Sequence, residues 1–135
     1  MRDMHNKLFR LGLNCSAETD SYLQLMKVAL LGPEDLVVAI SQSGASVDPV
    51  LTLKEARRHH VPTICITGNA KSPLTSYADV ALLSISSEMR AEAMASRVAQ
   101  TTLVDALYVN LCLSDIEKAD RNERLIWDAV IPKSI

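Results

Sequence analysis

A short loop rich in hydroxyl groups contains the residue types best suited to bind a charged ligand. Residues 41–46 read Ser-Gln-Ser-Gly-Ala-Ser and lie between the apolar run Leu36–Ile40 and a predicted helix that begins near Asp48. A helix directs unpaired N–H groups and the positive end of its dipole into the preceding loop, so hydroxyls there form an anion site without Lys or Arg. The residues predicted to hold a phosphate are Ser41, Gln42, Ser43, Gly44 and Ser46.

The alternative for this loop is an ordinary turn with a serine helix cap, because Ser and Gly are common in turns. Other site signatures are absent from the sequence: it has no P-loop, no GxGxxG and no GxSxG elbow. The cysteines Cys15, Cys65 and Cys112 lack the spacing of a zinc site or a disulfide framework, and Cys65 is predicted to be a small buried apolar residue. We therefore predict neither a metal nor a cofactor.

Three apolar runs that alternate with helical segments must position this loop. Leu36–Ile40, Thr63–Thr67 and Val80–Ile85 are predicted strands, and the alternation indicates an α/β fold with a central parallel sheet. Ligands bind such sheets at the carboxyl ends of the strands, which directs attention to loops 41–46, 67–72 and 84–88. The remaining predictions are helices at 1–11, 19–31, 47–60 and 88–113, a helical turn at 72–78, a short strand at Leu13–Cys15 and a charged helical tail at 117–130.

Composition narrows the class of protein. The 135 residues are 48% hydrophobic and 22% charged, which excludes a disordered chain. A net charge of −2 gives no basic surplus for holding nucleic acid directly. No signal peptide and no membrane-spanning run is recognised, so we expect a cytoplasmic protein without a membrane partner. The long apolar helix at 88–113 is expected to be buried on more than one face and to drive formation of a homodimer or higher homo-oligomer.

The loop resembles the S-x-S-G-x-T/S phosphate loop of sugar isomerase (SIS) domains. Further stretches agree with that family in order and spacing, and the last of them resembles the long helix of SIS domains in RpiR-type transcription regulators. These stretches are Lys7–Gly12, Ile66–Gly68 with Ser72–Leu74, Ala78-Asp79, and Glu88 followed by 95–100 and 104–107. The resemblance implies a three-layer α/β/α sandwich of flavodoxin-like topology over residues 1–116, with 117–135 as a helical tail.

The resemblance also implies a phosphosugar ligand and two further site residues. Ser96 matches a serine that joins the phosphate site, and its alternative role is a small residue in a helix interface. Glu88 matches a carboxylate near the sugar ring, and it would be the catalytic base if the protein were an isomerase. Its alternative role is a first-turn residue that favours the helix dipole.

The sequence departs from the family pattern at its beginning. The family's first strand, its GxGxS-like loop and the helix-turn-helix of RpiR-type regulators are not recognised, so we expect an N-terminally incomplete SIS domain that contacts DNA only through a segment outside this sequence. The predicted function is a non-enzymatic phosphosugar sensor of an RpiR-type regulator. The alternatives are an aldose–ketose phosphosugar isomerase and an oligomerisation module without a ligand.

Overall fold

The computed structural model describes residues 2–84 and 93–133, which form two compact units. One unit comprises residues 18–101, and the other comprises residues 1–17 together with 102–135. The elements in chain order are α1 (Arg2–Arg10), α2 (Ser21–Ala29), β1 (Val37–Ile40), α3 (Val47–Arg58), β2 (Thr63–Thr67), α4 (Pro73–Tyr77), β3 (Val80–Leu83), α5 (Ala93–Ser114), α6 (Ile116–Val130) and a 3₁₀ turn (Ile131–Lys133). No helix within 2–84 and 93–133 is long and apolar enough to cross a bilayer.

The sheet is parallel throughout, with strand order β1-β2-β3. Val37 pairs with Thr63, and Ile64 pairs with Val80, so the three strands end at one edge of the sheet. This arrangement confirms the predicted α/β fold with a central parallel sheet. It also brings the loops after β1 and β2, and Ser84 directly after β3, to the same side, where parallel sheets bind ligands.

Helix α3 anchors the sheet in the unit formed by residues 18–101. Its Leu53 is fully buried against Ala39 of β1, Cys65 of β2 and Leu74 of α4. Cys65 is fully buried in this cluster, which confirms that it serves as a small apolar core residue, and this burial raises the pKa of its thiol. A second small cluster joins Val28 of α2 to the other end of α3.

Leu53→Ala is expected to destabilise the domain by about 2–5 kcal/mol, because it removes a fully buried side chain and leaves a cavity. Urea denaturation monitored by circular dichroism measures the change. Leu51→Ala is the matched control, since Leu51 lies on the same helix and is 43% exposed. A Leu53 variant as stable as the Leu51 variant would contradict the packing described for α3.

The predicted strand at Leu13–Cys15 was wrong, and the end of α1 explains why. Gly12 adopts a left-handed φ of 80°, as the sequence predicts for a helix-ending glycine. The Gly12 N–H donates to the Phe9 carbonyl at 2.9 Å, and the Leu13 N–H donates to the Leu8 carbonyl at 3.3 Å. These two bonds form a Schellman motif, so the Leu13 N–H closes the helix instead of joining a sheet.

Helix α5 was predicted to be buried on more than one face. In the part of α5 whose side chains are described, the buried and half-buried residues follow helical spacing along one stripe. They are Ala99, Gln100, Leu103, Val104, Leu107, Tyr108 and Cys112. Val98, Val109 and Leu113 are exposed on the single chain, so the chain by itself covers one face of α5 at these residues, and burial of a second face stays a prediction. In strand β3, Val80 and Leu83 are also open to solvent on the single chain.

Candidate functional site

The serine loop lies between the carboxyl end of β1 and the first turn of α3. Ser41 is buried, whereas Ser43 and Ser46 are exposed. The backbone N–H of Gly44 donates to the Ser41 hydroxyl oxygen at 3.2 Å, and the Ser41 hydroxyl donates to that of Ser46 at 3.1 Å. The N–H of Ala45 donates to the Ser43 hydroxyl oxygen at 3.2 Å. Hydrogen bonds to the loop's own hydroxyls therefore fix its conformation, and the Ser43 and Ser46 side chains remain exposed.

The exposed hydroxyls of Ser43 and Ser46 are arranged to donate. Each oxygen already accepts a hydrogen bond within the loop, so each hydroxyl keeps its proton for an incoming acceptor. Ser46 occupies the N-cap position of α3 but makes no side-chain capping bond, so it leaves the first N–H groups of the helix open toward the loop. Donors and the helix dipole together favour an anion with several acceptor oxygens, such as a phosphate.

Gly44 holds the loop against the segment that follows β2. Its φ is 69°, and its carbonyl accepts from the N–H of Leu74 at 3.0 Å. A Cβ added at this position would lie 2.5 Å from the Ser72 Cβ and 2.9 Å from the Thr67 hydroxyl oxygen. Gly44 is therefore required both for the left-handed turn and for the close approach of Ser72.

Gln42 connects the loop to two further elements. Its side-chain oxygen accepts from the Ser84 hydroxyl at 3.2 Å, directly after β3, and from the Gln100 amide of α5 at 2.9 Å. Its backbone carbonyl accepts from the N–H of Gly68 at 3.0 Å and from the Thr67 hydroxyl at 3.3 Å. Segments that end all three strands thus meet at the serine loop.

Sequence reasoning selected these loops but not the buried polar residues that support the site. Thr67, Ser72 and Ser84 are all buried and border the predicted phosphate loop. The signal for Thr67 and Ser84 is a hydroxyl residue at or just after the end of an apolar strand, whereas Ser72 is the cap of α4. Gln100 gave no such signal, because it lies 58 positions from its partner and is brought to it only by the tertiary fold.

The predicted phosphate-loop residues lie together, whereas two other predicted site residues cannot be placed. Glu88 falls outside the residues that the structure describes. Ser96 belongs to helix α5, but its side chain also lies outside the described part. The roles of both residues stay predictions. The one charged side chain in the first turn of α3 is Asp48, which is exposed.

Known proteins similar in sequence include transcription regulators. An uncharacterized HTH-type transcriptional regulator of Thermotoga maritima is 36% identical over 115 residues, which are 84% of this chain and 41% of that protein. The HTH-type transcriptional regulator RpiR of Escherichia coli is 30% identical over 122 residues, which are 89% of this chain and 41% of that protein. The chain therefore spans about two fifths of the length of these regulators.

Solved structures agree with the sequence comparison. The Vibrio vulnificus NanR protein complexed with ManNAc-6P is 28% identical, with a TM-score of 0.89 over 97% of this chain and 50% of that one. The sugar isomerase domain of the RpiR transcription factor from Sphaerobacter thermophilus has the same fold, with a TM-score of 0.79, 23% identity and coverage of 93% and 69%. The sequence model of the SIS domain matches residues 2–110. The chain therefore belongs to the SIS domain family.

Proposed function

We propose that this chain is a phosphosugar-binding sensor domain of an RpiR-type transcriptional regulator of sugar metabolism. The observation that carries the proposal is the serine loop at the start of α3, where two exposed hydroxyls and the open helix end can donate to one anion. The regulators similar in sequence and the ManNAc-6P complex of NanR support the same conclusion.

In the proposed mechanism the protein binds a phosphosugar and does not convert it. The phosphate binds at Ser41, Gln42, Ser43, Gly44 and Ser46, and the sugar extends toward the loops after β2 and β3. A ligand that prefers one of two conformations shifts their populations, and this is sufficient for sensing. The proposed regulator would contact DNA through a helix-turn-helix segment, the kind of DNA-binding segment that the names of the relatives state. Its proposed location is the cytoplasm.

The isomerase alternative rests on Glu88 as a base. The relatives named in the sequence comparison are regulators, and this supports the sensor over the isomerase. Turnover of a sugar phosphate that is abolished by Glu88→Gln would overturn the non-enzymatic proposal.

The proposed regulator also self-associates. Exposed apolar side chains on α5, including Val98, Val109 and Leu113, support this proposal because association would remove them from water. Light scattering coupled to gel filtration measures the mass in solution. A monomer at micromolar concentration would contradict self-association.

A ligand panel tests the proposed function. Thermal unfolding is followed with ManNAc-6P, other hexose and pentose phosphates, the matching free sugars and inorganic phosphate. We expect at least one sugar phosphate to raise the midpoint in a concentration-dependent manner, because a ligand that binds only the folded state stabilises it. If no sugar phosphate stabilises the protein, the sensor proposal is contradicted and the chain is better explained as an oligomerisation module without a ligand.

Asp48→Asn is expected to raise the affinity for a sugar phosphate by about twofold to fivefold, because it removes a like charge from the helix end that receives the phosphate. The gain should shrink as salt is raised, since surface charges are screened. Isothermal titration at low and high salt measures it. Asp128→Asn, which removes the same charge from the exposed side of α6, is the matched control and should leave affinity unchanged.

A further inference from the structure

The side-chain oxygen of Gln42 has both of its acceptor positions filled from outside the serine loop. The Ser84 hydroxyl and the Gln100 amide both donate to it, and Ser84 is only 3% exposed. A carbonyl oxygen accepts two hydrogen bonds, so these two donors satisfy it completely. A phosphate presents acceptor oxygens, so Gln42 can contact it only through N–H groups, and its side-chain oxygen stays with Ser84 and Gln100.

The fold keeps Gln42 in this position. Its backbone carbonyl is fixed by the N–H of Gly68 and the hydroxyl of Thr67. A Cβ at Gly68 would lie 2.8 Å from the Gln42 Cδ and closer still to its side-chain nitrogen. The Gln42 side chain therefore crosses directly over Gly68, and a larger residue at 68 would push it away from Ser84 and Gln100.

We infer that Gln42 is a positioning residue that couples the serine loop to helix α5. The affinity for the phosphosugar and the strength with which Gln42 holds Gln100 of α5 therefore depend on each other. The inference rests on the proposed function and adds a route of regulation to it. Coupling of this kind is reciprocal: a ligand that orders the loop stabilises the Gln42–Gln100 bond, and loss of that bond weakens the ligand.

Helix α5 is suited to report the state of the loop. It is continuous from Ala93 to Ser114, and it contributes residues to both compact units, because the boundary falls after residue 101. Gln100 lies within the unit that contains the loop. A change in how firmly Gln100 is held therefore acts on an element that continues into the other unit.

The test compares Gln100→Ala and Gly68→Ala with the wild type by calorimetry and by hydrogen exchange of peptides from 97–107. The probe is ManNAc-6P, or whichever sugar phosphate gives the largest stabilisation in the thermal panel. In the wild type we expect bound ligand to slow exchange in α5 severalfold. Gln100→Ala should bind about threefold to tenfold more weakly, the effect of losing one neutral hydrogen bond. Gly68→Ala should bind at least as weakly, because Gln42 then loses both Ser84 and Gln100 as donors. In both variants the slowing in α5 at saturating ligand should be lost.

Thr101→Ala is the matched control, because Thr101 is the exposed neighbour of Gln100 on the same helix. It should retain both the affinity and the ligand-dependent slowing. Ligand-dependent slowing that persists in Gln100→Ala and Gly68→Ala, with the wild type binding normally, would overturn the coupling alone. A wild type that binds no sugar phosphate would overturn the proposed function and the coupling with it.

Discussion

Gly44→Ala is expected to abolish measurable phosphosugar binding and to destabilise the domain. The left-handed φ of 69° costs an alanine about 1–2 kcal/mol. The added Cβ would also approach Ser72 Cβ to 2.5 Å, and relieving such an overlap in a packed region costs about 1–3 kcal/mol. Because the loop must shift to accommodate the methyl group, the hydroxyls of Ser43 and Ser46 can no longer donate to the same phosphate.

Gly32→Ala is the matched control for this substitution. A Cβ at Gly32 meets nothing within 4 Å, and its backbone does not adopt a positive φ. Titration calorimetry measures affinity, and urea denaturation measures the free energy of unfolding in parallel. Should Gly44→Ala bind a sugar phosphate as tightly as Gly32→Ala, the close approach of the loop to Ser72 would have no part in ligand binding.

Ser43→Ala is expected to weaken phosphosugar binding by about tenfold to a hundredfold, the range for losing one hydrogen bond to a charged group. Stability should change little, because Ser43 is exposed and its side chain makes one bond, accepted from the N–H of Ala45. Ser46→Ala should weaken binding by a similar factor, and the double variant should lose binding beyond detection.

Calorimetric titration measures these affinities, and thermal unfolding without ligand confirms that each variant is folded. Ser114→Ala is the control, since it removes an exposed hydroxyl at the end of α5 in the other unit. Unchanged affinity in the Ser43 variant, combined with unchanged stability, would remove Ser43 from the phosphate site.

Much of the fold was predictable because local patterns determine it. The apolar run Thr63–Thr67 predicted β2 with the bounds that the structure has. The sequence predicts either Thr19 or Asp20 as the cap of α2, and it is the Asp20 carboxylate that accepts from the N–H of Leu23 at 2.9 Å. Gly12 was predicted to end α1 in a left-handed conformation, and it does so. Each of these features depends on residues within about one helical turn.

The features that were missed have two causes, one in tertiary packing and one in a local helix cap. An apolar pattern identifies α5 as a helix, but it does not reveal how many faces of the helix pack against the rest of the chain. Val98 and Val109 fit the apolar pattern and are nevertheless exposed on the single chain. Leu13–Cys15 was predicted as a short strand, yet the cap of α1 uses the N–H of Leu13.

The same distinction holds for the candidate site. The serine loop is a local motif and could be found from its sequence and its place after an apolar strand. The Gln42–Gln100 bond joins residues 58 positions apart and has no local signature. Thr67 and Ser84 end neighbouring strands, so topology pointed to their loops without selecting their hydroxyls.

The central claim is that the serine loop receives the phosphate of a sugar phosphate. The most direct test is a titration of the ¹⁵N-labelled protein, followed by amide chemical shifts, with ManNAc-6P and with the same sugar lacking phosphate. We predict that the largest shifts occur at residues 42–48 and require the phosphate group. Shifts that leave 42–48 unchanged, or that are equal for the unphosphorylated sugar, would contradict the assignment of this loop.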